Sequence, residues 1–330
     1  MLLPNAPQLK TVCERVGLVG RSPAFRTMVG ALLRYAAVDV TVLLEGATGT
    51  GKELAARALH YLGARAGGPF VPVDCGALPE TLFEDELFGH ARGAFTDASR
   101  DMRGLVAQAQ GGTLFIDEIH ALSARSQASL LRFLQDFRFR PLGGQKWMEA
   151  DQRVVVATNR RLEDGVRDGW FRSDLYYRVN VVSVQLPSLA ERTDDLPLLV
   201  QAMLTRFAAR YGLAPRAFDA AGMAQLVARP WPGNIRELEN IVHRSFLQGE
   251  DGHPLDLPGE ARPDAAAAPH DYASERAALL ADFEQRYLRR VLAAASGNVT
   301  QAARLAGKER RLFGRMLKRH GIARAEFANR

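Results

Sequence analysis

The stretch Val42-Leu-Leu-Glu-Gly-Ala-Thr-Gly-Thr-Gly-Lys-Glu-Leu54 constrains this chain more than any other. Apolar β-formers run straight into Gly46, and an amphipathic helical pattern (Leu54, Ala55, Ala58, Leu59) begins just after Gly51-Lys52. The order predicts a strand, a glycine-rich turn and a helix N-terminus. Glycines let successive backbone N–H groups curl round an anion. The helix start adds partial positive charge, and a lysine at this spacing reaches outer phosphates. Gly46, Ala47, Thr48, Gly49, Thr50, Gly51 and Lys52 therefore form a candidate phosphate-binding loop. A glycine-rich connection whose lysine only faces solvent is the plainer alternative. Glu53 stands where such loops usually offer Mg2+ a Ser or Thr hydroxyl.

A second centre decides between the two. Gln110-Gly-Gly-Thr-Leu-Phe-Ile-Asp-Glu118 places the apolar run Thr113 to Ile116 before two carboxylates. The run suits a buried parallel strand, and ligands of doubly wound sheets bind at the C-terminal ends of strands. Asp117 is the candidate Mg2+ ligand, and Glu118 the candidate base that orients and deprotonates an attacking water. Acids that merely cap the next helix are the bland alternative. Arg153-Val-Val-Val-Ala-Thr-Asn159 predicts another buried strand, ending in two polar residues, Thr158 and Asn159, placed to sense the γ-phosphate or the water, against the alternative of a plain strand-to-turn transition. Pro69-Phe-Val-Pro-Val-Asp-Cys75 follows the loop's helix and completes a βαβ unit.

Composition sets the frame. A chain of 330 residues with 47% hydrophobic and 24% charged residues is long and apolar enough for two or three packed domains. No apolar run is long enough to span a membrane, and the first residues lack a signal pattern. Cys13 and Cys75 form no short-spaced pair, which predicts reduced thiols and a cytoplasmic protein. The net charge of +6 is uneven: residues 274–330 carry 13 Lys+Arg against 5 Asp+Glu, leaving 30 against 32 elsewhere. A neutral body with a basic tail predicts a nucleic-acid footprint at the C-terminus, against the alternative of a solvated basic helix.

Residues 1–16 read as a short lead, too short for a sensory domain. Phe25 to Tyr35 has helical apolar spacing, and Pro187 marks a change of character. Beyond it three helices are predicted, at about 194–211, 218–228 and 234–248, with Asn234 as N-cap of the last. Arg236 in that helix's first turn is poorly placed for the dipole, so a nearby anion would explain it. Residues 250–273 read as a linker. A long helix (about 274–295), a short one from Thr300 to Leu305, a turn at Ala306-Gly307 and a basic helix follow. Helix, tight turn and basic helix is the helix-turn-helix arrangement, with Lys308, Arg310, Arg311, Arg315, Lys318 and Arg319 facing DNA. Arg172 and Arg178 become interesting only if a neighbouring subunit's nucleotide lies opposite them.

Together these pieces resemble the sigma-54-dependent transcriptional activators, the bacterial enhancer-binding branch of the AAA+ ATPases. The resemblance runs from about residue 17 to the C-terminus. Its motifs are Gly-Ala-Thr-Gly-Thr-Gly-Lys-Glu (46–53), Glu-Leu-Phe-Gly-His (86–90), Gly-Ala-Phe-Thr-Asp-Ala (93–98) and Gly-Gly-Thr-Leu-Phe-Ile-Asp-Glu (111–118). Phe-Arg-Ser-Asp-Leu-Tyr-Tyr-Arg (171–178) and Trp-Pro-Gly-Asn-Ile-Arg-Glu-Leu (231–238) complete the set.

The resemblance implies an α/β AAA+ core with a parallel sheet at 17–186, a helical lid at 187–249 and, after the linker, a Fis-type helix-turn-helix domain at 274–330. It implies a homo-oligomer, a hexameric ring with ATP and Mg2+ at subunit interfaces. Arg172 and Arg178 would act across the interface as fingers, and Arg236 as the lid's nucleotide sensor. Glu53 is then the family's own residue. Gly93, Ala94, Phe95, Thr96, Asp97 and Ala98 would contact sigma-54 in the RNA polymerase holoenzyme, and the C-terminal domain would hold duplex DNA at upstream enhancers. No membrane partner is expected.

Three positions depart from the family pattern: Asp97 replaces a glycine, Asp74 an asparagine that restrains the catalytic glutamate, and Ala47 a glutamate. With no regulatory domain expected ahead of residue 17, control would come from a regulatory protein in trans or from expression level. The rival reading is a DNA-binding AAA+ regulator, a repressor or co-regulator, that uses ATP for assembly without sigma-54 remodelling. A helicase or DNA-loading ATPase fits the core but not the Gly-Ala-Phe-Thr loop.

Overall fold

A computed structural model describes residues 16–96, 98–250, 252–257, 284, 287–293, 295 and 297–322. Asp97, Cys13, the linker from 258 and most of the helix expected at 274–295 lie outside them. The chain forms two compact units, Met1–Ala261 and Arg262–Arg330.

The first unit is built on a five-stranded parallel sheet. Its strands are β1 (Val42–Glu45), β2 (Phe70–Asp74), β5 (Thr113–Asp117), β8 (Arg153–Thr158) and β9 (Val182–Gln185), in the order β2-β5-β8-β1-β9. Side chains alternate across it. Leu43, Leu114, Ile116, Val154 and Val156 face one core, which includes Phe83, Leu87, Leu130, Phe133 and Leu175. Val42, Leu44, Phe115, Val155 and Ala157 face the other, beside Phe25, Leu32, Ala55 and Leu59. Helices α1 (Pro23–Ala36) and α2 (Lys52–Tyr61) cover that second face. The first is covered by α3 (Glu80–Phe88), α5 (Ala124–Asp136) and α7 (Ser173–Val179). Each fully buried Leu, Val or Phe contributes roughly 1.5–3 kcal/mol, so the sheet is anchored from both sides.

Short elements fill the connections: β3 (Gly89–His90) pairs with β4 (Met102–Arg103), and β6 (Arg138–Phe139) with β7 (Met148–Glu149). Helices α4 (Leu105–Gln108) and α6 (Leu162–Asp168) complete this part. After β9 the chain turns helical. A 3-10 segment, Leu189–Asp195, leads into α8 (Leu196–Tyr211), α9 (Ala220–Ala228) and α10 (Asn234–Gln248). Leu199, Met203, Phe207, Leu226, Trp231, Leu238 and Phe246 give these helices a separate core.

The role expected of Asn234 is corrected. Gly233 is the N-cap of α10, and Asn234 is its first residue, at φ 53°. The helix start is closed instead by Glu237, whose carboxylate accepts the Gly233 N–H at 2.9 Å. That frees the Asn234 amide for tertiary contacts.

In the second unit, residues 287–293 are helical, followed by α11 (Val299–Leu305) and α12 (Arg310–Arg319). Asn298 caps α11 by accepting from Thr300 and Gln301. Gly307, at φ 60°, ends it, with the Lys308 N–H on Ala303 O and the Gly307 N–H on Arg304 O. This Schellman closure sets the sharp turn into α12. Phe313 and Leu317, four apart, pack onto Leu288, Leu292 and Ala302.

Candidate active site

The phosphate loop joins the C-terminal end of β1 to the start of α2, as the sequence order predicts. Gly49 (φ 79°) and Gly51 (φ 99°) supply the left-handed conformations that the curl requires. A Cβ on Gly49 would lie 2.2 Å from Gly233 O, so the loop and the lid touch at a position only glycine fits. Lys52 is buried; its ammonium donates to Gly46 O at 3.0 Å and to Ala47 O at 3.5 Å, and lies 3.9 Å from Glu118 Oε1. Burial pulls its pKa below the ordinary lysine value, against the opposing pull of Glu118 and Asp117. A group so placed stands to gain from an arriving anion. The Thr50 hydroxyl donates to Ala47 O. Glu53 turns outward to an exposed ion pair with Arg57.

Asp117 and Glu118 stand at the end of β5, beside this loop. Burial raises the Asp117 pKa, with Glu118 and Asp74 adding to the effect. Its Oδ1 accepts the N–H of Glu118 at 2.9 Å. Glu118 sits at φ 51°, ψ 43°, a left-handed conformation uncommon outside glycine. Backbone strain of this kind, on the order of 1–3 kcal/mol, collects at functional sites and aims side chains. Asn159, at the end of β8, donates its amide to Thr48 Oγ1 at 2.9 Å and to Glu118 Oε1 at 3.3 Å. The strand-end carboxylate, the strand-end amide and the phosphate loop are thus one hydrogen-bonded group. Asp74, paired in register with Asp117, accepts the Gly76 N–H at 2.9 Å.

The lid completes the enclosure. Ile235 donates its N–H to Gly49 O at 3.0 Å, and Asn234 donates to Thr48 O at 3.0 Å. Arg236 follows at the same edge, exposed, its Cβ facing Gly49. A cavity of about 270 Å³ lies between lid and core, with Leu18, Val19, Leu54, Leu186, Met203 and Ile235 in its wall. Nothing in the sequence pattern pointed to this cavity; its lining comes from segments far apart in the chain. His120 was likewise missed. Its Nδ1 is 3.2 Å from Glu118 Oε2, and burial lowers its pKa.

Two predicted groups of the first unit lie apart from this cluster. Arg172 pairs with Asp174 at 2.7 Å, and Arg178 donates to Leu134 O and Gln135 O. Their partners are in α5 and α7 rather than in the phosphate loop, and both arginines are exposed. The Gly93–Thr96 turn and Ala98 connect β3 to β4, closed by the Gly93 N–H on Ala98 O at 2.8 Å. Phe95 is 44% exposed, its ring centroid 4.9 Å from that of His90 in an edge-to-face arrangement. In the second unit Lys308, Arg310, Arg311, Arg315, Lys318 and Arg319 are all exposed.

A parallel sheet with a phosphate loop, a strand-end Asp-Glu pair and a helical lid defines an AAA+ P-loop ATPase. Residues 18–185 match the Sigma-54 interaction domain, 190–272 the AAA+ ATPase lid domain and 279–320 the Bacterial regulatory protein, Fis family. Transcriptional regulatory protein GlrR of Escherichia coli K12 is 42% identical over 314 residues, 95% of this chain and 70% of that protein. DNA-binding transcriptional regulator NtrC of Azospirillum brasilense is 48% identical over 231 residues, 70% of this chain and 48% of that protein. The crystal structure of NtrX from Brucella abortus in complex with ATP superposes with a TM-score of 0.69 at 34% identity, covering 96% of this chain and 73% of NtrX. The chain belongs to the sigma-54-dependent transcriptional activators.

Proposed function

We propose that this chain hydrolyses ATP in a ring of its own copies and spends the cycle on moving the 93–98 loop against sigma-54. The movement converts a closed promoter complex of the RNA polymerase holoenzyme into an open one. The Asn159 bridge carries this reading. It ties Thr48 of the phosphate loop to the carboxylate at the end of β5, so a nucleotide entering the loop is felt at Glu118.

In this reading Lys52 leaves Gly46 O and Ala47 O for the outer phosphates, joined by the loop N–H groups from Gly46 to Glu53. The 270 Å³ cavity has the apolar walls and size for a purine base. Arg236 senses the phosphates from the lid. Among the described residues no group of three His, Cys, Asp or Glu side chains would cage a metal alone. Mg2+ commonly keeps its waters and binds through phosphate oxygens and one or two carboxylates, and the hard-oxygen donor Asp117, crowded by Glu118 and Asp74, fits that part. Such an ion would supply charge to the phosphates. Glu118 orients and deprotonates the attacking water, a role that needs a carboxylate fixed in direction. Arg172 and Arg178, exposed and remote from their own loop's hydrogen bonds, would serve the neighbouring subunit's nucleotide in a hexamer.

The core, 17–186, would drive the Gly93–Ala98 loop, whose exposed Phe95 offers an apolar contact to sigma-54. The lid, 187–249, would close on the nucleotide. The exposed cations of α12 would hold duplex DNA at upstream enhancer sites. Open-complex formation with purified sigma-54 polymerase, on premelted and duplex templates, tests the reading. Wild type should open the complex in an ATP-dependent way, and Phe95→Ala should hydrolyse ATP yet open nothing. Failure of wild type on both templates, with gain of activity in Asp97→Gly, would favour a regulator that does not remodel sigma-54.

A further inference from the structure

We propose that His120 is a positioning residue for Glu118, fixing the second oxygen of the carboxylate that handles the attacking water. This rests on the ATPase reading above, and concerns a residue outside the phosphate loop, the Asp-Glu pair and the arginines.

The Glu118 carboxylate has two ends with different partners. Oε1 accepts from Asn159 and faces Lys52 at 3.9 Å. Oε2 is closed off from solvent and has no aligned hydrogen-bond partner. A buried carboxylate oxygen without a donor is costly, so whatever donor lies beside it matters. That donor is His120, with Nδ1 at 3.2 Å. Asp74, at the end of the neighbouring β2, is a carboxylate already engaged by the Gly76 N–H. An acceptor of that kind gives Oε2 nothing.

The tautomer follows from the hydrogen bonds around the ring. Nδ1 also lies 3.4 Å from Thr158 Oγ1. The Thr158 hydroxyl donates to Arg160 O at 3.0 Å and accepts the Arg160 N–H at 3.1 Å, so its hydrogen is already used. Nδ1 therefore faces two acceptors, Glu118 Oε2 and Thr158 Oγ1, and is the nitrogen to which the proposal assigns the ring proton. A neutral Nδ1–H ring steers the carboxylate without cancelling the negative charge a base needs.

The backbone fixes the arrangement. Ile119, fully buried, anchors a single 3-10 turn, Ile119–Ala121, closed by the Ala121 N–H on Glu118 O at 2.8 Å. With Glu118 left-handed at its start, the turn folds the imidazole back beside the carboxylate two residues earlier. Asn159 and His120 thus grip one oxygen each. Asn159 also answers to the phosphate loop through Thr48, whereas His120 answers to the end of β8 through Thr158. His120 is the fixed side of the grip and Asn159 the side that nucleotide can release.

The test uses the full chain with His120→Leu, His120→Asn and His120→Gln, measuring kcat, the KM for ATP and the thermal midpoint. Asparagine puts its amide nitrogen where Nδ1 stands; glutamine puts it one bond further out. Removing a partner that orients a reacting group costs on the order of 10- to 100-fold in activity. His120→Leu and His120→Gln should lose kcat by that factor with KM within about twofold, and His120→Asn should keep most of it. In a Glu118→Gln background, His120→Leu should cost nothing further. Wild-type kcat in His120→Leu, or equal kcat in the Asn and Gln variants, would overturn the proposal. Should the Leu variant fail to fold, the Asn–Gln contrast decides. Glu118→Gln alone separates the two claims: wild-type hydrolysis there would sink the role of Glu118 itself.

Discussion

Asn234, the first residue of α10, donates its side-chain amide to the carbonyl of Thr48 in the phosphate loop, 186 residues away, at 3.0 Å. Its Oδ1 accepts the N–H of Leu189, at the entry to the lid, at 2.8 Å. One buried amide thus fastens the lid's entry, the lid's last helix and the loop. Its φ of 53° is a conformation asparagine adopts more readily than alanine. Asn234→Ala removes both bonds and adds backbone strain, with an expected loss of about 1–3 kcal/mol. Denaturant unfolding measures that loss, and ATP titration should show weaker binding. A variant as stable as wild type would mean that the latch contributes nothing.

Arg178 is expected to act on a neighbouring subunit. A finger that stabilises transition-state charge contributes on the order of 10³–10⁵ in rate. Arg178→Ala should therefore be nearly inactive as a pure assembly, and so should Glu118→Gln. Mixing the two should restore hydrolysis at interfaces where an intact Arg178 meets an intact Glu118. Arg178 also donates to Leu134 O and Gln135 O near the end of α5, so the thermal midpoint of Arg178→Ala belongs beside the rates. No recovery in mixed assemblies of folded subunits would place the arginine's role inside its own chain.

What could be read ahead of the structure divides by range. β1, β5 and β8 are buried on both faces, so they appear in the sequence as unbroken apolar runs with polar residues where the ligand end begins. Asp117, Glu118 and Asn159 stood out because they lie at the ends of such runs, and Lys52 because of the glycine spacing that follows β1. β9 was not, since only Val184 of its four residues is buried and its edge position leaves the others without an apolar signature. The two-residue strands β3, β4, β6 and β7 are too short to carry any period. Asn234 was misread because the local signal, a polar residue before an apolar helix, is the same for a cap and for a tertiary latch. His120 had no pattern at all; its significance arises only once a 3-10 turn brings it beside Glu118.

The exposed cations of α12 should set DNA affinity. Removal of 274–330 should abolish site-specific binding and leave ATP hydrolysis measurable at high protein concentration. Arg311→Ala should weaken binding and flatten the dependence of log affinity on log salt by about one unit of slope, as loss of one phosphate contact does. Footprints at several salt concentrations check both. An unchanged footprint from the truncated chain would remove DNA binding from this unit.

Asp195 predicts how stability depends on pH. It is fully buried where residues 19–22 meet the lid. Its carboxylate accepts the N–H groups of Arg21 (2.6 Å) and Ser22 (2.8 Å), the Ser22 hydroxyl (2.8 Å) and Arg192 Nε (3.0 Å). Arg192 in turn donates to Val19 O and lies over the Phe25 ring. Burial opposes the charge on Asp195, but the donors from Arg21 and Ser22, with Arg192, outweigh it and hold the carboxyl below its ordinary pKa. A depressed folded-state pKa means that the contribution is complete above the unfolded carboxyl pKa of about 4 and fades as pH falls through the folded value. Asp195→Asn takes the carboxylate from a buried cation, which typically costs 3–5 kcal/mol at neutral pH. Denaturant unfolding of both proteins should show that gap at pH 7 and a narrowing gap below about pH 4. A gap that stays constant into acid would mean that the Asp195 charge is not what holds residues 19–22 to the lid.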